Sequence, residues 1–309
     1  VFFFVAGLEV KRELVIGELR ERRHAALPVV AALSGMAVPA LVFLAVAFRA
    51  PGAGRGWAVP VATDIAFALG VLALAGSAYP PALRVLLLSL AVVDDLGAIV
   101  LVALLFAHSL AVLPLLGAAL VLAAYRLLQR RGVTAPYVLL PLAVAAWALV
   151  HAGGVHATVA AVLLALLTPV ERCGRLERLL QPWSAGVVVP LFAFVAAGLP
   201  LSLAGLRGAA TDRVAVAVFA GLVAGKVLGI AGGIAVARRL RLAATPRDVT
   251  AYDTVVLGVL GGVGFTVSLL LADLAYDGAR AAHAKTAVLA ASVLSALVAA
   301  ALLRRGARR

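Results

Sequence analysis

Two aspartates, Asp94 and Asp95, stand side by side in the middle of RVLLLSLAVVDDLGAIVLVALLF, a stretch from Arg84 to Phe106 that is otherwise almost wholly apolar. An ionised carboxylate at the centre of a bilayer costs at least about 2.5–3.5 kcal/mol, so acids placed there need a partner, water or a function. A third acid, Asp64, follows Thr63 in ATDIAFALG, within another apolar stretch. The complementary oddity is Lys226, in GLVAGKVLGIAGG, because the chain uses only three lysines against 24 arginines. Arginine keeps its proton under essentially all conditions, whereas a desolvated lysine can titrate. Carboxylate oxygens suit a hard cation, and the same groups take up protons. Together these residues imply competition between a cation and protons, which suffices for exchange if the site faces each side of a membrane in turn.

Each residue also admits a plainer role. Adjacent helical positions point about 100° apart, so Asp94 and Asp95 cannot share one face and need different surroundings. Either could be a helix-end acid or a packing pair, Lys226 a fixed salt-bridge partner for one of them, and Thr63 a hydroxyl bonded to its own backbone. Asp64 could offset the positive ends of broken helices. His156, in GGVHATVAA, could be an interfacial or packing histidine. Glu9, Arg12 and Glu13 in LEVKREL, with Glu177 in RLERLLQPW, form a charged set that could respond to pH, though solvated surface charges account for them equally well.

The elements that must position these residues are membrane helices. The 309-residue chain is 64% hydrophobic with mean hydropathy +1.12, which excludes an ordinary soluble domain and directs the search to apolar runs of about 20 residues. Such runs predict about ten complete spans and a partial first one, at 1–10 (partial), 27–48, 58–76, 82–107, 110–128, 136–150, 155–169, 182–203, 214–237, 252–275 and 283–303. The short opening run VFFFVAGLEV, too brief to cross a bilayer, predicts a chain missing its start; the whole of 1–309 reads as a single transmembrane domain. Cys173, the only cysteine, cannot form an internal disulfide and is expected in a polar loop.

Net charge +13 would suit nucleic acid, but the location of the charges argues otherwise. Walking the spans in order places 20 of the 27 basic residues on one side, six on the other and Lys226 inside a span. By the positive-inside rule the first side, with the C-terminus, is cytoplasmic. No nucleic-acid partner is expected; membrane lipid is, and a homodimer is left open.

Two spans, WAVPVATDIAFALGVLALAG and TVVLGVLGGVGFTVSLLLADLA, are interrupted by Gly, Pro and small polar residues. Both read as broken helices, unless their glycines serve only close packing. Paired interrupted segments in the two halves of a membrane chain point to inverted repeats around a midplane site.

Taken in order, LEVKREL, ATDIAFALGVLAL, LAVVDDLGAIV, GVHAT, AGK and GVGFTVSL resemble the NhaA-type sodium/proton antiporters over nearly the whole chain. That family is itself a standing example of inverted repeats with broken helices. The resemblance implies an all-α, polytopic inverted-repeat fold of twelve helices with two discontinuous crossing helices, of which this chain lacks the first helix and the start of the second. It implies Asp95 as principal ligand of a transported sodium or lithium ion, and Asp94 as a coupling carboxylate able to pair with Lys226. Asp64, with Thr63, matches the acid at the helix crossing. Glu9, Arg12, Glu13 and Glu177 match charged positions of a cytoplasmic pH response, and His156 a histidine near the opposite side. It further implies electrogenic export of sodium for a larger number of protons, no cofactor, no enzymatic activity, and a bacterial inner-membrane location where the exchange regulates internal pH and sodium. One departure is Val227, where the closest pattern of the family has a proline after the lysine.

Two other classes compete. An intramembrane aspartyl protease would need acids from different helices facing one another to activate water, which Asp94 and Asp95 cannot do but Asp64 and one of them could. A passive cation channel would conduct without compulsory proton exchange, and buried titratable groups argue against it.

Overall fold

In lipid, every backbone polar group must be satisfied within the protein, which leaves helices as the natural outcome for runs this apolar. The computed structural model describes residues 1–309 apart from 21, 75–80, 108–109, 199–202, 243–248 and 307–309, and among those described there is no strand. The helices are α1 (Phe2–Val15), α2 (Arg22–Val46), α3 (Ile65–Leu74), α4 (Pro81–Leu105), α5 (Val112–Arg130), α6 (Pro136–Ala152), α7 (Ala157–Leu167) and α8 (Val170–Trp183). They continue with α9 (Val189–Ala196), α10 (Leu203–Thr211), α11 (Arg213–Ala220), α12 (Lys226–Arg239), α13 (Ala251–Gly261), α14 (Phe265–Ala275) and α15 (Gly278–Gly306). A 3₁₀ stretch, Gly54–Val61, precedes α3, and π-helical turns at Ser184–Val188 and Gly221–Gly225 join α8 to α9 and α11 to α12.

Among the described residues, seven helical stretches are long and apolar enough to cross a membrane, and an eighth forms if α13 and α14, bent by 46°, count as one broken span. Each expected run has a helical counterpart, but α6 and α7 have only 17 and 11 residues. At 1.5 Å per residue α7 covers roughly 16 Å, about half of the hydrocarbon thickness, so 155–169 is not a complete span by itself. The end of the 58–76 run and residues 199–202 of the 182–203 run lie outside the described residues. Cys173 corrects the sequence reading: it is fully buried on α8, against Leu8 and Ala165, because the charged segment VERCGRLERLLQPW is an amphipathic helix and not a loop.

The chain divides into two compact units, one of 1–20 and 99–191, the other of 21–98 and 192–309. In the first, α1 packs on α7 and α8, and a Cβ added to Gly7 would stand 2.7 Å from the Cβ of Ala165, so only glycine permits this approach. Lys11 donates to the carbonyls of Leu166 (2.6 Å) and Thr168, closing the C-terminal end of α7 as a cation should. In the second unit, α2, α12, α13 and α15 surround an apolar core that includes Leu83, Leu87, Leu90, Ile230, Ile234, Leu257 and Leu303. A Cβ at Gly225 would stand 2.7 Å from the Cα of Pro39 in α2, so the turn before Lys226 sits directly on that helix.

Candidate functional site

The two interrupted segments both belong to the second unit, and their breaks meet. Between Val61 and Ile65 the chain is extended at Ala62–Asp64, and between α13 and α14 it turns at Gly262–Gly264. The Asp64 amide donates to the Val263 carbonyl at 2.7 Å. The Thr63 hydroxyl donates to the Gly261 carbonyl at 3.0 Å, closing the C-terminal end of α13 instead of bonding its own helix.

Asp64 is buried between two helix N-termini. Its Oδ1 accepts from the Phe67 amide of α3 at 3.0 Å, while Oδ2 accepts from the Thr266 amide (3.1 Å) and hydroxyl (2.6 Å) of α14. Unpaired amides and the partial positive charge of a helix start both favour a carboxylate there. Ser268 completes the junction by donating to the Val59 and Ala62 carbonyls at 2.9 and 3.3 Å.

Lys226 neutralises the opposite kind of helix end. Its Nζ donates to the carbonyl of Val61, the last residue of the 3₁₀ stretch, and lies 3.1 Å from each oxygen of Asp94. Both side chains are almost wholly buried, at 0% and 2% exposure. Three donors on an ammonium thus meet three acceptors, the arrangement that makes a buried ion pair tolerable. Thr63 also faces the Asp94 carboxylate, and Asp95 is close enough to Lys226 to interact electrostatically. The two aspartates part as helical geometry requires: Asp94 is buried against Lys226, whereas Asp95 is intermediate in burial. The π turn Gly221–Gly225 immediately before Lys226 marks where the regular helix is interrupted, and Val227 continues the α-helix that follows.

Asp64 spends its oxygens on two helix amides and a hydroxyl, an arrangement that suits a helix cap and not the water-activating acid a protease would need. The arrangement places two adjacent carboxylates, a buried amine and two interrupted helical segments in one unit. A family model described as Na+/H+ antiporter 1 matches residues 1–303. The chain belongs to that family. Its members are secondary transporters and not enzymes. Among curated proteins, the chain is 56% identical over 317 residues to Na(+)/H(+) antiporter NhaA 1 of Saccharopolyspora erythraea, covering 100% of this chain and 77% of that protein. It is 52% identical to NhaA 2 of Rhodococcus jostii (99% of this chain, 78% of that protein) and 52% identical to NhaA of Nocardia farcinica (100% and 76%).

The remaining candidates in this antiporter-family chain lie in the first unit. Arg12 and Glu177 form an ion pair at 2.9 Å, with Arg12 40% and Glu177 13% exposed, and Oε1 of Glu177 is buried without a hydrogen-bond partner. Glu9 and Glu13 are within electrostatic reach of this pair, so the four charged candidates do gather. His156 does not join them. It caps the N-terminus of α7, with Nδ1 2.8 Å from the Thr158 hydroxyl, whereas Lys11 sits at the other end of that helix, roughly 16 Å away. Thr266, Ser268 and Lys11 were not singled out from the sequence, although Thr266 and Ser268 follow the Gly262–Gly264 break closely enough for spacing alone to have flagged them.

Proposed function

We propose that this chain exchanges sodium for protons across a bacterial inner membrane, with Asp94, Asp95 and Lys226 as the exchanging groups. The observation that carries the proposal is the buried Lys226–Asp94 pair at the end of a broken helix, together with Asp95 on the next residue of the same helix. Membership of the family supports sodium/proton exchange, and hard oxygen ligands suit lithium as well as sodium.

In the proton-loaded state Lys226 is an ammonium on Asp94 and Asp95 holds a proton. Binding of a cation by Asp95, its principal ligand, draws Asp94 away from the ammonium. Lys226 then releases its proton, and Asp95 releases another. One positive charge replaces two, so the cycle is electrogenic, and no state holds cation and protons together at full occupancy. Reorientation of the loaded site supplies alternating access. Asp64 stays in its caps and holds the junction together. Glu9, Arg12, Glu13 and Glu177 tune this cycle to cytoplasmic pH, and His156 fixes the start of α7 on the other side. The excess of basic residues on one side supports a cytoplasmic C-terminus.

The test is a sodium-induced pH change in everted membrane vesicles that carry either this chain or its Asp95→Asn variant. Proton movement driven by sodium and lost in Asp95→Asn is expected; movement insensitive to that substitution would remove Asp95 from the mechanism.

A further inference from the structure

Membrane-helix serines and threonines commonly turn their hydroxyl back to a carbonyl one turn earlier. Ser34 does so to Val30 (2.7 Å) and Thr286 to Ala282 (2.8 Å). Ser292 on α15 behaves differently. It is buried, at 4% exposure, and its Oγ accepts from the amide of Phe265, the first residue of α14, at 3.1 Å. The next amide of α14, that of Thr266, is the one bound by Asp64. Two successive orphan amides at one helix start are therefore satisfied from outside the helix, one by a neutral hydroxyl from α15 and one by a carboxylate beside α3.

That division of labour has an electrostatic consequence. If the first amide lost its acceptor it would either stay unpaired in a buried junction or turn towards Asp64, whose Oδ2 already accepts from both donors of Thr266. In both cases the junction would present more positive potential to the charged groups that share its unit: Asp64 itself, Asp94 and Asp95 from α4, and Lys226 from α12. Positive potential weakens the hold of a carboxylate on sodium and on protons alike.

We infer that Ser292 is a positioning residue for the exchange: its hydroxyl takes the first amide of α14, leaves Asp64 for the second, and so sets the charge that the helix junction presents to both transported ions. The inference rests on the proposed sodium/proton exchange. It goes beyond that proposal by naming a residue on a helix that contributes no ion-binding group to it.

The experiment measures the half-saturating sodium concentration and the pH profile of exchange in everted vesicles for the parent chain, Asp95→Asn, Ser292→Ala, Ser292→Thr and Ser292→Cys. Ser292→Ala is expected to raise half-saturating sodium roughly three- to tenfold and to move the pH profile towards acid. Ser292→Thr, which keeps the hydroxyl, restores both, and Ser292→Cys, with its weak sulfur acceptor, falls between. Should Ser292→Ala not be recovered in membranes, the graded order of Thr and Cys decides. A Ser292→Ala that changes only the amount of protein or the maximal rate, or a Ser292→Thr no better than Ala, overturns the inference. A parent chain without sodium-driven proton movement overturns the proposed exchange instead, which separates the two failures.

Discussion

The Thr266 hydroxyl donates to the Asp64 carboxylate at 2.6 Å across the meeting point of two broken segments that lie 202 residues apart in the chain. The same carboxylate accepts the Phe67 amide, so one side chain closes two helix starts. Asp64→Ala leaves two amides and a hydroxyl without an acceptor, and a loss of about 2–4 kcal/mol is expected. Asp64→Asn, which keeps one acceptor oxygen, loses about half as much. Thermal unfolding of the purified protein in detergent measures both; an Ala variant as stable as the parent would show that the capping contributes nothing.

Lys226 and Asp94 make a second case, because each is buried and each is the other's counter-charge. Truncating one side leaves an unpaired charge in the interior, at about 3–5 kcal/mol. Lys226→Ala and Asp94→Asn should therefore each destabilise strongly, while the double variant loses clearly less than the two together. Additive losses in a double-mutant cycle would mean that the pair is not coupled.

Around Arg12 the prediction concerns pH. Glu9, Glu13 and Glu177 gather around one guanidinium; burial first, and then the neighbouring carboxylates, raise Glu9 and Glu177 above the usual carboxylate range, against the lowering pull of Arg12. Glu177→Gln removes one of the charges that raise Glu9, so Glu9 ionises at lower pH and the profile of exchange moves towards acid with little change in its maximum. A profile that keeps its position would detach this cluster from the pH response.

Tyr276, in the link between α14 and α15, donates to the Ala53 carbonyl at 2.7 Å. Burial pushes its phenol up to about 12, a value raised above that of the unfolded chain. The contribution of the protonated phenol is thus complete below about pH 10 and fades only as pH rises towards 12. Tyr276→Phe should cost about 1 kcal/mol and show the same deficit at pH 6 and pH 9. A deficit that varies between those values would point to another titrating group.

The approach of Gly225 to Pro39 sets a steric limit, since a Cβ there would stand 2.7 Å from the proline Cα, which is backbone and cannot yield as a side-chain tip can. Gly225→Ala is expected to displace the turn before Lys226 and lower both stability and exchange. Gly70→Ala, with no atom within 4 Å of the added Cβ, should leave stability unchanged or slightly raised. Equal effects of the two would sink the steric argument.

Much of this site could be read from residue types alone. Asp64, Asp94, Asp95 and Lys226 announce themselves because charge is costly in an apolar run, and the glycines of GGVGFT announce a break. Hydroxyl groups carry no such signal: Ser292 sits in an alanine-rich helix, and nothing local shows that its oxygen faces a helix start 27 positions away. Length was also deceptive in places, since hydropathy does not register where a helix ends. The run 155–169 looks complete, yet His156 caps α7 and Thr168 leaves it, so only 11 residues are helical. Cys173 misled for the converse reason, because a charged stretch can still be an amphipathic helix with one buried face.

The π turn at Gly221–Gly225 carries a consequence for the numbering of this segment. A π turn is, in register, a single extra residue folded into a helix. Excising one residue from GLVAG would let the segment relax into an unbroken α-helix while the stretches on either side keep nearly the same rotation about the axis, because a π turn takes up its extra residue within itself. The apolar character of the span would be untouched. Lys226 would therefore keep the face that meets Asp94, whereas the same excision from the regular turns of α11 would carry it about 100° round the axis and about 1.5 Å along it; the π turn gives the register of this helix slack.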